Sequence, residues 1–413
     1  MASVLLLIPG MLYYNLSNIK KYDEVILLEE IEMFSEKYSD LRVKYNRDCM
    51  KAYSQYLKSN SIKVRYIDIQ HAKQFYTQIE HSHRQLLAPP AITTYNPLDR
   101  AIQSRWDKIE AISKPYLHPH NFILSSIDID SNDFRRLRSV YEYTSKKLRV
   151  PLMKSTDKYN RSRVDMKTLT RDILATDTPP LPVNHQDALK SLKKFLHRRL
   201  QHFAVNQDSI EREYKRLHHS CLSIPLNMGL LTPVEVIQTT KRYYSKHVKN
   251  DKSKHVPYNS YEAFMRQILG WREYMFYLYM KHRDYMTASM ESKPRTPIPS
   301  SWFNGTTKHV ILNTEILKAL ETSYSHHIVR LMVFMCLMQL YRLHPEDIIR
   351  WFKRVVSMDA YDWIMVSNVY AMGYYVRNFT SKSYLCSSAY ITRMSRTYKR
   401  DALWDELYRK RKQ

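Results

Sequence analysis

Apolar positions follow two different rhythms along this chain. In the first third they come as short runs: Val4–Ile8, Glu24–Leu28 and Ile62–Ile69 each read as a buried strand. Between the last two runs, the segment from Arg42 to Lys58 sets Val43, Met50, Tyr53 and Leu57 on one helical face. Strand–helix–strand order predicts a parallel sheet with right-handed crossovers. From residue 184 onward the period is helical throughout. Tyr261 to Tyr279 reads as an amphipathic helix bearing Trp271, Arg272 and Glu273. The densest stretch is Tyr324–Met372. It is apolar at nearly every position from Leu331 to Leu343, turns at His344-Pro345, and continues as a second helix. A helix that is apolar all round is buried on all sides. The expected organisation is an α/β part over residues 1–130, a basic irregular connector over 131–183, and an all-α part over 184–413.

The polar residues set into that dry stretch are the candidate chemistry. His326, His327 and Arg330 stand at the entrance of the first helix. Asp359 and Asp362 stand among Tyr361, Trp363 and Asn368 beyond the second. Such groups are placed beside a core to pair with one another or to face a ligand. Arg330 with Asp359 is the expected pair.

Charge adds a partner. Lys and Arg number 65 against 40 Asp and Glu, a net of +25 with a pI near 9.7. Nucleic acid is the usual partner for such a surplus. A helix near Asp187–Phe203 offers Lys190, Lys193, Lys194, Arg198 and Arg199 as phosphate contacts. The connector adds Arg135, Arg136, Arg138, Lys146, Lys147, Arg149 and Lys154. Four cysteines (49, 221, 336 and 386) lie far apart and form no CxxC, which fits a reducing, intracellular compartment. The apolar start, M-A-S-V-L-L-L-I-P-G, lacks a basic n-region and a cleavage site, and reads as a first strand. No apolar run reaches the roughly 20 residues of a spanning helix. No G-x-G-x-x-G follows the first strand, so it carries no dehydrogenase-type nucleotide fingerprint. Only five glycines occur; Gly229, Gly270 and Gly305 fall in the motifs below, and Gly373 directly follows one of them.

Those motifs carry a family resemblance. H-H-I-V-R-L-M at 326–332 and D-A-Y-D-W-x-M-V-x-N-V-Y-x-M at 359–372 resemble the flavin pocket of the prokaryotic, iron–sulfur branch of the photolyase/cryptochrome superfamily. L-L-x-P-G near the start, H-S-C-L-S-I-P-L-N-M-G-L-L-T-P at 219–233, E-A-F-M-R-Q-I-L-G-W-R-E-Y at 262–274, F-N-G-T-T at 303–307 and S-A-Y-I-T-R-M-S at 388–395 agree in order and spacing. The resemblance implies a Rossmann-like parallel-sheet antenna domain followed by a large helical FAD-binding domain. It implies FAD held by Ser220, Leu222, Ser223, Arg272, Gly305, Thr307, Arg330, Asp359, Tyr361 and Asn368. His327, with His326, would be the lesion-side proton donor, poised near neutral pH. Trp351, Tyr361 and Trp363 would relay electrons, and DNA would be the partner. Relatives often show G-D-Q after the first strand. Here Met11 and Leu12 follow Gly10, which leaves the antenna chromophore open.

Three departures matter. The family's cluster cysteines are replaced: Ile311, Tyr398, Asp401 and Ala402 stand at the matching positions, so no iron–sulfur cluster is expected. The connector loop is shortened to Ser155–Arg163, and the chain stops where relatives continue. Two readings stay open. One is light-dependent repair of a flipped pyrimidine lesion by reduced FAD. The other is a degenerate, non-catalytic protein that binds DNA or serves in packaging or assembly.

Overall fold

The computed structural model describes residues 3–85, 91–154, 163–250, 256–292, 294–374, 379 and 384–412. The connector loop expected at Ser155–Arg163 therefore lies outside the described residues, apart from Arg163. The chain divides into two compact units. The first is Met1–Phe122 with Leu181–Leu189 and Ser223–Thr232; the second is Ile123–Pro180, Lys190–Leu222 and Pro233–Gln413.

The first unit is a four-stranded parallel sheet in the order β3-β2-β1-β4, with β1 at Val4–Leu7, β2 at Glu24–Leu28, β3 at Val64–Ile67 and β4 at Ile92–Thr94. Val4 pairs with Glu24 and with Ile92, and Val25 pairs with Val64. The two central strands are continuous apolar runs, as strands covered on both faces must be. Helix α1 (Asp40–Ser59) makes the crossover from β2 to β3, capped by the Ser39 hydroxyl accepting from Arg42 N. Helix α2 (Ile69–Gln85) follows β3. Strand β4 has only three residues, too few for a readable alternation. Beyond β1 the chain passes close to Gly229, whose φ is +90°. A Cβ there would sit 2.8 Å from Leu12 N, so only glycine fits.

The chain reverses direction in the sheet between β1 and β4, where open α/β sheets usually take ligands. Here the rings of Tyr13, Tyr95 and His120 stand edge to edge beyond those strand ends, with centroids 5.0 to 5.1 Å apart. Beyond β2, buried Glu29 accepts from Arg47, Tyr66 and Ile69 N. Buried Glu30 accepts from Tyr76 and Arg105.

The second unit is helical. Its first long helix, α3 (Leu137–Lys147), falls inside the expected irregular connector. Its buried stripe is Val140, Tyr141, Thr144 and Ser145, too polar to stand out in the sequence. The Thr144 hydroxyl donates to Leu269 O at 2.6 Å and seats α3 on the segment around Gly270. Helix α4 (His185–Arg198) belongs to this unit from Lys190 onward, and there it buries Leu192, Phe195 and Leu196. The amphipathic helix predicted from Tyr261 to Tyr279 runs as Tyr258–Arg266, Gln267–Arg272 and α5 (Glu273–Ala288). Then come α6 (Val310–Thr322), the segments His327–Val329, Arg330–Met335 and Cys336–Leu340, α7 (Pro345–Val355), and the segments Asp362–Val366 and Ser367–Gly373. No helix among the described residues is long and apolar enough to cross a membrane.

Candidate functional site

Three segments of the second unit wind as π-helix: Gln267–Arg272, Arg330–Met335 and Ser367–Gly373. A π turn holds an extra residue and re-aims the side chains beyond it, and such turns recur at functional sites. Each carries a residue singled out from the sequence: Arg272 on the first, Arg330 on the second, Asn368 on the third. The last two segments pack closely enough that a Cβ on Gly373 would lie 2.8 Å from Met335 Sδ. The Ser367 hydroxyl ties the third to α5 by donating to Met275 O at 2.7 Å.

Around these turns the structure gathers most of the expected residues. Arg330 Nη1 stands 3.6 Å from Asp359 Oδ2, both buried. Tyr324 and Cys221 lie beside that pair; burial, with Cys221 and Asp359 nearby, raises the Tyr324 hydroxyl well above its usual range. The Arg272 guanidinium lies over the Trp363 ring at 5.0 Å. Asp362 pairs with Lys353 at 3.4 Å. Tyr361 is buried at the head of Asp362–Val366. His326 Nδ1, Arg330 Nε and Asn368 Oδ1 are buried with no protein partner. An unmet buried polar atom costs about 1–3 kcal/mol. Two of them, His326 Nδ1 and Arg330 Nε, lie at the loose Arg330–Asp359 pair, and the third, Asn368 Oδ1, is on the third π segment.

The histidines differ from expectation. His326 is buried and stacks on His219, with ring centroids 4.0 Å apart and planes at 17°. Burial, with His219 beside it, pushes it well below the ordinary range. His219 is in turn locked between the carbonyls of Arg216 and Gln207 at 2.8 and 3.0 Å. Sequence reasoning missed His219, although it opens the motif at 219–233. His327 meets the edge of Trp271 at 4.9 Å. It is not poised near neutral pH: burial and then the Arg330 guanidinium push it down to about 3, so the imidazole is neutral at pH 7.

Ser220 lies in the second unit; its carbonyl accepts from Arg216 and its hydroxyl from Leu222 N. Leu222 is buried, and Ser223 heads the short helix Ser223–Met228 in the first unit. Gly305, at φ +72°, ends the helix Ser301–Asn304. The Thr307 hydroxyl donates to Asn313 Oδ1 at 2.6 Å and accepts from His309 N. These two residues build the entry to α6, and all of Thr307's hydrogen bonds stay within that turn. Trp351 is buried against Phe334, with its Nε1 donating to Trp302 O.

On α4, Lys190, Lys193 and Lys194 are exposed and Arg198 is partly so. Arg199 does not join them. It lies nine residues from Lys190, half a turn round the helix, and is 1% exposed. It donates to the carbonyls of Leu217, Ile173 and Thr176. Burial, then the nearby Arg216, lowers it to about 10.

The positions matching cluster ligands hold no thiolate. Ile311 is buried in α6, the Tyr398 hydroxyl donates to Glu315 at 2.5 Å, and Asp401 pairs with His309 at 3.0 Å. Those residues do not fit an iron–sulfur cluster. Cys336 and Cys386, fifty residues apart in sequence, bring their sulfurs to 3.8 Å.

Known proteins agree with this picture. The family described as deoxyribodipyrimidine photo-lyase-related protein matches residues 5–171. A (6-4) photolyase of Agrobacterium fabrum is 32% identical over 216 residues, 52% of this chain and 41% of that protein, so the chain spans less than half of that relative's length. A cryptochrome from Synechocystis sp. PCC6803 superposes with a TM-score of 0.64 at 12% identity, covering 99% of this chain and 86% of that one. An archaeal photolyase from Sulfolobus tokodaii, solved with two FAD molecules, superposes at 0.56 and 15% identity, covering 89% and 83%. The parallel sheet, the helical unit and these likenesses converge: the chain has the photolyase/cryptochrome fold, and its residues 5–171 resemble the photolyase-related family.

Proposed function

We propose that the protein binds FAD in its helical unit and uses it in light-dependent repair of pyrimidine lesions in DNA. The observation that carries this reading is the buried Arg330–Asp359 pair together with the unpartnered buried atoms His326 Nδ1, Arg330 Nε and Asn368 Oδ1 in the helical unit. The isoalloxazine edge offers carbonyl oxygens, ring nitrogens and an N–H, which is the complementary set. The residues present therefore fit the group. When bound, reduced and excited by light, FAD supplies an electron of high enough energy to split a pyrimidine photoproduct.

The protein's own residues set the conditions. Asp359 fixes the Arg330 guanidinium, which favours negative charge on a neighbouring ring. Arg272 is held over the Trp363 ring. Trp271 and His327, both partly exposed, stand together, where a flipped base would meet an aromatic ring and an imidazole N–H. Because His327 is neutral, it serves as a hydrogen-bond donor and not as a stored acid. Lys190, Lys193 and Lys194 supply sequence-independent phosphate contacts.

The test illuminates reduced protein with a lesion-bearing oligonucleotide and repeats it with His327→Ala. The expected result is slow repair that falls at least tenfold in the variant and stays flat from pH 6 to 8. Equal rates in both proteins would remove His327 from the reaction. No repair, with flavin and lesion both bound, would leave a DNA-binding protein that does not repair.

A further inference from the structure

Cys336 and Cys386 take no part in the site above. Cys336 is fully buried at the start of Cys336–Leu340, directly after the π turn Arg330–Met335. Cys386 is 9% exposed and precedes the short helix Ser388–Met394. Both are free thiols. Their sulfurs stand 3.8 Å apart, and Cys336 Sγ accepts from Cys386 N at 3.3 Å. A disulfide needs about 2.0 Å between sulfurs. Since Cys336 Sγ already touches the Cys386 backbone, rotation of the two thiols about their Cα–Cβ bonds spans the remainder. Cys386 Sγ donates to Met332 O at 3.6 Å, a carbonyl inside the π turn that carries Arg330. Cys336 Sγ donates to Cys386 O at 3.4 Å. That second carbonyl also accepts, at 2.8 Å, from the indole of buried Trp404 on the helix Ala402–Lys412. Joining the sulfurs removes both S–H donors, so Cys386 O keeps the indole and Met332 O loses its thiol.

We propose that Cys336 and Cys386 are an oxidisable dithiol that hydrogen peroxide closes to a disulfide, fixing residues 386–412 onto the turn that carries Arg330. The Cys386 thiolate, on the more exposed side, attacks one peroxide oxygen. The O–O bond breaks, and the other oxygen leaves as hydroxide and takes up the proton Cys386 gave up. Cys336 sulfur then attacks the sulfenic acid: the S–S bond forms, the S–O bond breaks, and the hydroxyl departs with the Cys336 proton as a second water. Two thiols and one hydrogen peroxide thus give one disulfide and two waters, and a dithiol reductant reverses the bond. The hydrogen bond with Cys336, then burial, raise the Cys386 thiol, with Asp405 adding to the rise and Arg393 opposing it. Little thiolate is present at neutral pH, so the pair passes over brief oxidant and records sustained exposure.

The test uses the full chain and does not depend on flavin. Protein reduced with dithiothreitol and desalted is held in hydrogen peroxide, denatured in iodoacetamide, and mapped by mass without reduction. The expected result is one linked peptide pair, Cys336 with Cys386, two hydrogens lighter than the free peptides, with buried Cys49 and Cys221 alkylated. Its rate of formation rises about tenfold per pH unit above neutrality. Amide exchange over residues 386–412 slows at least fivefold in the oxidised protein, and Cys386→Ser shows neither the link nor the slowing. Cys336 and Cys386 both alkylated, Cys386 taken to sulfinic acid with Cys336 still a thiol, or links to Cys49 or Cys221 instead would overturn the proposal. So would a disulfide between Cys336 and Cys386 that leaves amide exchange unchanged.

Discussion

Changing Asp359 to Asn removes one negative charge and no volume, leaving the Arg330 guanidinium buried and uncompensated. At the observed 3.6 Å and an effective dielectric of about 20, the Coulomb attraction of the pair is about 4 to 5 kcal/mol. Part of this is offset by desolvation already incurred by Asp359, so the expected loss is about 3 to 4 kcal/mol, in the range for breaking one side of a buried pair. Chemical denaturation followed by tryptophan fluorescence measures it. The double variant Arg330→Met, Asp359→Leu separates structure from function. Replacing a buried pair with apolar groups of similar volume is often neutral or stabilising. The double variant should recover most of the lost stability and yet fail to retain flavin. A loss under about 1 kcal/mol in Asp359→Asn would mean the pair is not the electrostatic centre of the site. A stable double variant that binds FAD as well as wild type would refute its role in binding.

Four further outcomes follow from single groups. Glu273 is fully buried; burial pushes its carboxyl up to about 7 against the N–H donors of Leu124 and Ile123. The folded state therefore holds a proton that the unfolded chain has lost, so wild-type stability falls as pH rises from about 4.5 to 7. Glu273→Gln should flatten that slope, and urea midpoints at pH 5 and 7.5 measure it. Lys193→Ala should lower the log–log salt slope of duplex DNA binding by about 0.9. Arg199→Met should leave that slope unchanged while costing about 3 kcal/mol of stability, because buried carbonyls lose their donor. Tyr398→Phe removes the phenol donor from buried Glu315 Oε1, leaving Lys318 Nζ at 2.5 Å, and should cost about 1–3 kcal/mol in a melt.

What the sequence disclosed tracks how strongly burial shapes a pattern. Strands β1 and β2 and the Leu331–Leu343 run stand out because both faces are covered, leaving no polar alternation to confuse them. The Arg330–Asp359 pair was legible because charge beside a dry run has few alternatives. The π turns were not, since one extra residue per turn leaves the composition unchanged. Helix α3 was hidden because Thr144 and Ser145 bury hydroxyls where a typical stripe has leucine. Arg199 looked basic in a basic helix, and only its place nine residues beyond Lys190 puts it on the inner face. The His309–Asp401–Tyr341 cluster and the Cys336–Cys386 contact join residues 32 to 92 positions apart, which no local spacing encodes.

The central claim is that the second unit holds a flavin on Arg330, Asp359, His326 and Asn368. Protein purified under native conditions, denatured and analysed for released flavin by fluorescence and chromatography, tests it most directly. The account predicts about one FAD per chain, or uptake to that level after reconstitution, lost in the Arg330→Met, Asp359→Leu variant. A colourless, folded protein that takes up no FAD would contradict it.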